Sequence, residues 1–260
     1  MSDPILSVRN LGINFGGLKA VQNFSLDLHH GELVGLIGPN GAGKTTVFNL
    51  LTGVYTPTEG DIFMNGTRIN GLSPHKVVAC GIARTFQNIR LFKEMTVLDN
   101  VKVSFTRTAN YGFADALFRT RRFRDAENQM DSVARGLLKL FSLEDLADEL
   151  AGNLPYGRQR KLEIARALGT GMQVLLLDEP AAGMNPAETA ELLECINVIR
   201  EKFKVAILLI EHDMSLVMNI CERIIVLDYG QPIASGLPEE IKANPQVIAA
   251  YLGEQEDASC

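Results

Sequence analysis

No excess of basic charge, no long apolar run and no patterned cysteines appear in this sequence, and each absence removes a class of function. Lysine and arginine total 25 against 31 aspartate and glutamate, a net charge of -6. A protein that tracks a nucleic-acid backbone needs clustered positive charge, so no nucleic-acid partner is expected. The longest aliphatic stretches, such as 205–210, fall far short of the roughly 20 residues that span a bilayer. The opening MSDPILSVRN carries an acid early and has no apolar segment behind it, which predicts no secretory signal. Cys80, Cys195, Cys221 and Cys260 lack metal-ligand spacing and read as structural thiols of a reducing compartment. Internal repeats and low-complexity tracts are likewise absent. What remains is a globular chain of 260 residues, 46% hydrophobic and 22% charged, long enough to bury a substantial core. Any membrane role is expected to come through a partner.

Four short apolar runs, at 33–37, 174–177, 205–210 and 224–227, end in polar residues or glycine. Such runs predict strands covered on both faces of a largely parallel sheet, with helices between them. The opening SVRNLGINFGGLKAVQNFSLDLHHGE alternates in part and holds paired glycines, which predicts antiparallel strands and turns. GDIFMNGTRI at 60–69 carries an Asn65-Gly66 hairpin signal. Between Asp99 and Asp148 proline disappears, and Val133, Leu137, Leu140 and Phe141 follow helical spacing, so this stretch reads as a helical insertion. Its cluster Arg119, Arg121, Arg122 and Arg124 reads as a solvated face, not a phosphate site. The tail LPEEIKANPQVIAAYLGEQEDASC predicts two short helices interrupted at Pro245, with Ile241, Val247, Ile248 and Leu252 as an apolar seam. Beyond Gly253 it turns polar and acidic and is expected to be loose.

Two segments carry chemistry. GPNGAGKTT at 38–46 matches Gly-x-x-x-x-Gly-Lys-Ser/Thr, with a strand signal before it and a helix signal after it. Gly38, Pro39, Asn40, Gly41, Ala42 and Gly43 form a loop whose amides turn inward around phosphates, and the following helix adds the positive end of its dipole. Lys44 is placed for the β- and γ-phosphates, the Thr45 hydroxyl for Mg²⁺, and Thr46 for a further phosphate contact. VLLLDEP at 174–180 describes a buried strand emptying into a polar cleft. Asp178 is placed to hold Mg²⁺, directly or through water, and Glu179 to orient or deprotonate an attacking water.

The order of further motifs makes the whole chain resemble the nucleotide-binding subunit of an ATP-binding cassette (ABC) transporter. ARTFQNIRLF is similar to the family's glutamine loop, with Gln87 at the position that touches Mg²⁺ or the lytic water. In ILLIEHDM, His212 matches the histidine that contacts the γ-phosphate. In INFGGLKAV, Phe15 matches the aromatic that stacks on adenine, with Val21 beside it. Ile89, Leu91 and Phe92 stand where the family's groove receives a coupling helix of the permease, and equally read as core of the helical insertion. The resemblance implies an α/β fold: a P-loop NTPase core with a predominantly parallel sheet, an N-terminal antiparallel β-subdomain and an inserted α-helical subdomain. Within a single cassette over 1–260, the β-subdomain and core are expected at 1–98 and 169–240. The helical subdomain with its signature helix is expected at 99–168, and a helical tail at 241–260.

The signature segment departs from the family's Leu-Ser-Gly-Gly-Gln. LPYGR at 154–158 has Pro155 for the serine, which removes a hydroxyl and a backbone N–H, with Tyr156 and Arg158 for the first glycine and the glutamine. Gly157 keeps its type, and AAGMNP places Asn185 where the D-loop aspartate is usual. These features, with IEHDM, FGGLKAV and NPQVIAAYLGE, resemble the G-type ATPase of branched-chain amino-acid importers. That branch implies ATP and Mg²⁺, two membrane permease subunits, and a second ATPase in a heterodimer or a homodimer. It also implies an indirect solute-binding protein outside the cell and a peripheral position on the cytoplasmic face of the bacterial inner membrane. A related importer of urea, amides or other amino acids, or a lipopolysaccharide-export ATPase, is the alternative.

Overall fold

In a computed structural model of the chain, residues 3–105 and 111–257 are described, with side chains as far as Tyr251. Cys260 and the Leu252 side chain of the expected seam lie outside them. The Gly16-Gly17 turn folds the opening segment back on itself, pairing β1 (Leu6–Phe15) antiparallel with β2 (Leu18–Leu28). The apolar run β3 (Leu33–Ile37) is buried throughout and leads by a glycine-rich loop into α1 (Lys44–Leu51). β4 (Glu59–Met64) and β5 (Thr67–Arg68) form the predicted hairpin, with Asn65 and Gly66 at φ 49° and 73°, as a type I′ turn requires. α2 (Pro74–Ala79) and β6 (Ile82–Arg84) follow. Next come α3 (Val97–Lys102), α4 (Phe113–Leu117), α5 (Arg121–Leu140) and α6 (Tyr156–Gly169). The alternation then resumes with β7 (Val174–Asp178), α7 (Pro186–Phe203), β8 (Ala206–Ile210), α8 (Met214–Ile220) and β9 (Arg223–Asp228). It closes with β10 (Gln231–Gly236), α9 (Pro238–Lys242) and α10 (Pro245–Asp257).

Chain contacts divide these elements into two units. The first comprises 1–84, 173–180 and 197–260. It holds an antiparallel sheet, order β2-β1-β4-β5, and a six-stranded sheet, order β10-β9-β3-β8-β7-β6, parallel except at β10. This is the expected α/β fold of one antiparallel and one mostly parallel sheet. Buried side chains from both sheets and α1, among them Phe24, Val34, Phe48, Leu176 and Leu208, form one core cluster. Each such side chain contributes roughly 1.5–3 kcal/mol on burial. Because β3 sits between β8 and β9, and Asp178 of β7 lies opposite Ile210 of β8, the carboxyl ends of β3, β7 and β8 line up. That edge is where open α/β sheets place their ligands.

The second unit comprises 85–172 and 181–196, and the residues of the expected helical insertion fall within it. In α5 the buried stripe is Ala134, Leu137 and Leu138, continued by Phe141, an i, i+3, i+4, i+7 series. Val133, expected on that face, is 46% exposed because the stripe is anchored one residue later. Arg119, Arg121, Arg122 and Arg124 are all exposed, as a solvated face requires. In the tail, Pro245 separates α9 from α10; Ile241 and Val247 are buried while Ile248 is exposed. Helix α10 runs through Gly253 to Asp257. Among the described residues no helix is long and apolar enough to cross a membrane.

Candidate nucleotide site

The loop after β3 takes its shape from its glycines. Gly38 and Gly43 have φ of 147° and 101°. A Cβ on Gly38 would overlap the Leu227 carbonyl, and one on Gly43 would stand 2.8 Å from the Ala20 carbonyl oxygen. Glycine is therefore dictated at both ends by conformation and by close approach. Between them Asn40 and Gly41 are exposed, whereas Pro39 and Ala42 are buried. Helix α1 starts with no side-chain cap and no acid in its first turn, which keeps its leading amides and dipole suited to an anion. Lys44 is buried; its ammonium donates to the carbonyl oxygens of Gly38 at 2.6 Å and Pro39 at 2.8 Å. Thr45 is exposed and Thr46 half-buried beside it.

At the carboxyl end of β7, Asp178 is 5% exposed and paired with Arg84 of the neighbouring β6 at 2.6 Å. A carboxylate this deeply buried is tolerable only with a partner charge. Arg84 also donates to Asn49 Oδ1 on α1 at 2.7 Å and lies over the Phe48 ring. The sequence reading did not single out Arg84. Its signal was an arginine closing an otherwise apolar strand, GIAR, just before the glutamine loop.

Glu179 turns the chain at φ 47°, a conformation uncommon for a side chain of this kind, and its N–H donates to Ile210 O at 2.9 Å. Such backbone outliers cluster where a side chain must be aimed. The Glu179 carboxylate meets His212 Nε2 at 2.8 Å, so the two residues expected to act at the γ-phosphate touch each other. Phe15 is 44% exposed and packs edge-on to Tyr55, with ring centroids 5.2 Å apart. Val21 instead belongs to the core, at 1% exposure.

The second unit holds the signature residues. Pro155 is the N-cap of α6 and provides no side-chain cap, Tyr156 opens the helix at 41% exposure, and Arg158 is exposed. Gly157 is buried, and a Cβ there would meet Glu188 Oε1 at 2.9 Å, so glycine serves close packing. Asn185 forms a reciprocal cap on α7: its Oδ1 accepts from Glu188 N at 3.0 Å, and its N donates to Glu188 Oε2 at 3.1 Å. Gln87 is exposed in an irregular segment. Of the three apolar residues after it, Phe92 is exposed and Ile89 and Leu91 are half-buried, so none is a core residue. Two further residues escaped the sequence reading: Arg160 and Glu163, fully buried in α6.

A phosphate-loop lysine, a buried acid and a glutamate–histidine contact on one sheet edge define the class of phosphate-loop nucleotide hydrolases. The family profile "ABC transporter" matches residues 21–182, and "Branched-chain amino acid ATP-binding cassette transporter" matches residues 231–257. The chain belongs to the ABC transporter family and is one of its ATP-binding, ATP-hydrolysing subunits. It is 50% identical to the high-affinity branched-chain amino acid transport ATP-binding protein BraF of Pseudomonas aeruginosa, over 98% of this chain and 100% of that one. It is equally 50% identical to LivG of Escherichia coli, a protein of the same description, over the same shares. Among solved structures, an ABC-transporter cassette in its ADP conformation superposes with a TM-score of 0.82 at 30% identity, covering 97% of this chain and 100% of that one.

Proposed function

We propose that this subunit powers import of branched-chain amino acids through a membrane permease. The carrying observation is that half of all residues are identical, end to end, to cassettes described as serving that transport. The match of residues 231–257 to the branched-chain profile supports the same reading. In this reading the chain pairs with a second ATPase, most simply a different one, and docks on two permeases at the cytoplasmic face of a bacterial inner membrane. A solute-binding protein acts on the far side. The partial exposure of Ile89, Leu91 and Phe92 supports docking there over a core role.

Lys44 exchanges its two carbonyl partners, Gly38 and Pro39, for the β- and γ-phosphates of ATP, conserving its hydrogen bonds while gaining charge pairing. Loop amides from Pro39 to Gly43 and the first turn of α1, with Thr46, surround the phosphates. Phe15 stacks on the adenine; Val21 supports that strand from the core. Thr45 and Asp178 offer the hard oxygen donors that Mg²⁺ prefers, and an ionised carboxylate retains lone pairs beyond the one Arg84 engages. With Gln87 they are the residues that would hold the ion. Mg²⁺ bound there neutralises charge developing on the phosphates. His212 leaves Glu179 for the γ-phosphate, which frees the Glu179 carboxylate to orient and deprotonate water for in-line attack. Pro155, Tyr156, Gly157 and Arg158, with Asn185, face ATP held by the opposite subunit. Positioning supplies most of the catalysis, and pairing of two cassettes couples it to the permease.

The test is ATP-driven uptake of radiolabelled leucine, isoleucine and valine into vesicles carrying the chain with its permeases. Uptake that requires Lys44 and is competed by the three amino acids supports the reading. Uptake of urea or an amide in their place would transfer the chain to a related importer.

A further inference from the structure

Between 85 and 92 the chain after β6 forms neither helix nor strand. Side chains of helix α6 bond to its peptide groups. Arg160, Glu163 and Arg166 recur at i, i+3 and i+6, which places them along one side of the helix. Arg160 Nη1 donates to Phe86 O at 2.6 Å and to Glu163 Oε2 at 2.7 Å. Its Nη2 donates to Gln87 O at 2.8 Å and to the Tyr156 hydroxyl at 3.2 Å. Glu163 Oε1 accepts the Arg90 N–H at 3.2 Å, and Arg166 Nη2 donates to Arg90 O at 2.5 Å. The Arg166 guanidinium also lies over the Phe92 ring, 5.6 Å from its centroid.

The Arg160 and Glu163 side chains are 0% and 3% exposed. Burying a charged pair is costly, and apolar residues hold a helix to a loop at least as strongly. What a planar, multidentate guanidinium adds is fixed geometry. We propose that the Arg160–Glu163–Arg166 row is a grip by which the signature helix holds the glutamine loop, with Arg160 the positioning residue for Gln87. One guanidinium joins the Gln87 backbone to the hydroxyl of Tyr156, the residue standing where the usual signature has glycine. A push at Ile89, Leu91 or Phe92 is thereby carried to Gln87 and to the head of α6 together. The proposal rests on the transport reading for the source of that push, but not for the existence of the grip.

Two measurements test it on Arg160→Met and Arg160→Lys. In the full chain, amide hydrogen exchange at 86–92 is expected to accelerate at least tenfold in the methionine variant, while α6 stays protected. In the complex with its permeases, solute-stimulated kcat for ATP is expected to fall about tenfold with KM within twofold, and lysine to recover part of it. Unchanged exchange at 86–92, kcat and KM deteriorating together, or lysine no better than methionine would overturn the grip. If Arg160→Met does not fold, Glu163→Gln is read by the same two measurements. A wild-type complex without solute-stimulated hydrolysis refutes the transport reading, and the exchange experiment then decides the grip by itself.

Discussion

Arg84→Met is expected to destabilise the protein by about 3–5 kcal/mol, because it strands the buried Asp178 carboxylate. The paired atoms are 2.6 Å apart and both side chains are 7% exposed, so water does little to stabilise the charge left behind. Loss of the Arg84–Asn49 hydrogen bond adds about 1 kcal/mol. Methionine still fills space against Phe48, so a cavity is not the main effect. Adding Asp178→Asn removes the stranded charge, and the double variant is expected to recover at least about 2 kcal/mol relative to Arg84→Met. Urea unfolding followed by circular dichroism and by fluorescence measures this, comparing midpoints where the two probes and the slopes agree. A cost below about 1 kcal/mol, or substitutions that simply add, would refute the assignment of Arg84 as the counter-charge of Asp178.

Other expectations follow from the same geometry. Lys44→Ala should reduce ATP hydrolysis at least about a hundredfold while leaving circular dichroism unchanged, since the loop keeps its glycine-defined shape; hydrolysis within tenfold of wild type would contradict the site. Burial pushes the Cys221 thiol up to about 12 from an ordinary 9.0. The folded state therefore keeps a proton that the unfolded chain releases, and stability should decline as pH rises from 9 toward 12, an effect absent in Cys221→Ala. At pH 8 the same thiol should resist a disulfide reagent until the protein is unfolded. Pro155→Ser gives α6 a side-chain cap and should raise stability by about 1 kcal/mol. In the assembled pair it should also increase turnover at the ATP site that this signature serves; no gain there would indicate that backbone amides around Gly157 already suffice.

What the sequence revealed divides by range. The phosphate loop was legible because its glycines answer local demands, with φ of 147° and 101° at Gly38 and Gly43. The buried strands 174–178 and 206–210 announced themselves as unbroken apolar runs, and the Asn65-Gly66 turn by its two residue types. Val133 was misjudged because two helical stripes one residue apart fit the same apolar letters, and only the neighbouring surface decides between them. The ion pair of Arg84 with Asp178 spans 94 residues, and the bonds from Arg160 to Phe86 and Gln87 span 74 and 73. No local period encodes such contacts. Glu179 was found by its place after Asp178, but its left-handed backbone and its contact with His212 belong to the fold alone.

The dependence of ATP hydrolysis on assembly tests the central claim most directly. The rate per subunit should be low for the strictly monomeric chain and rise at least about tenfold when it joins its partner ATPase and permeases. In that complex Lys44→Ala should abolish it. Full-speed hydrolysis by a monomer, with Lys44 dispensable, would contradict the account.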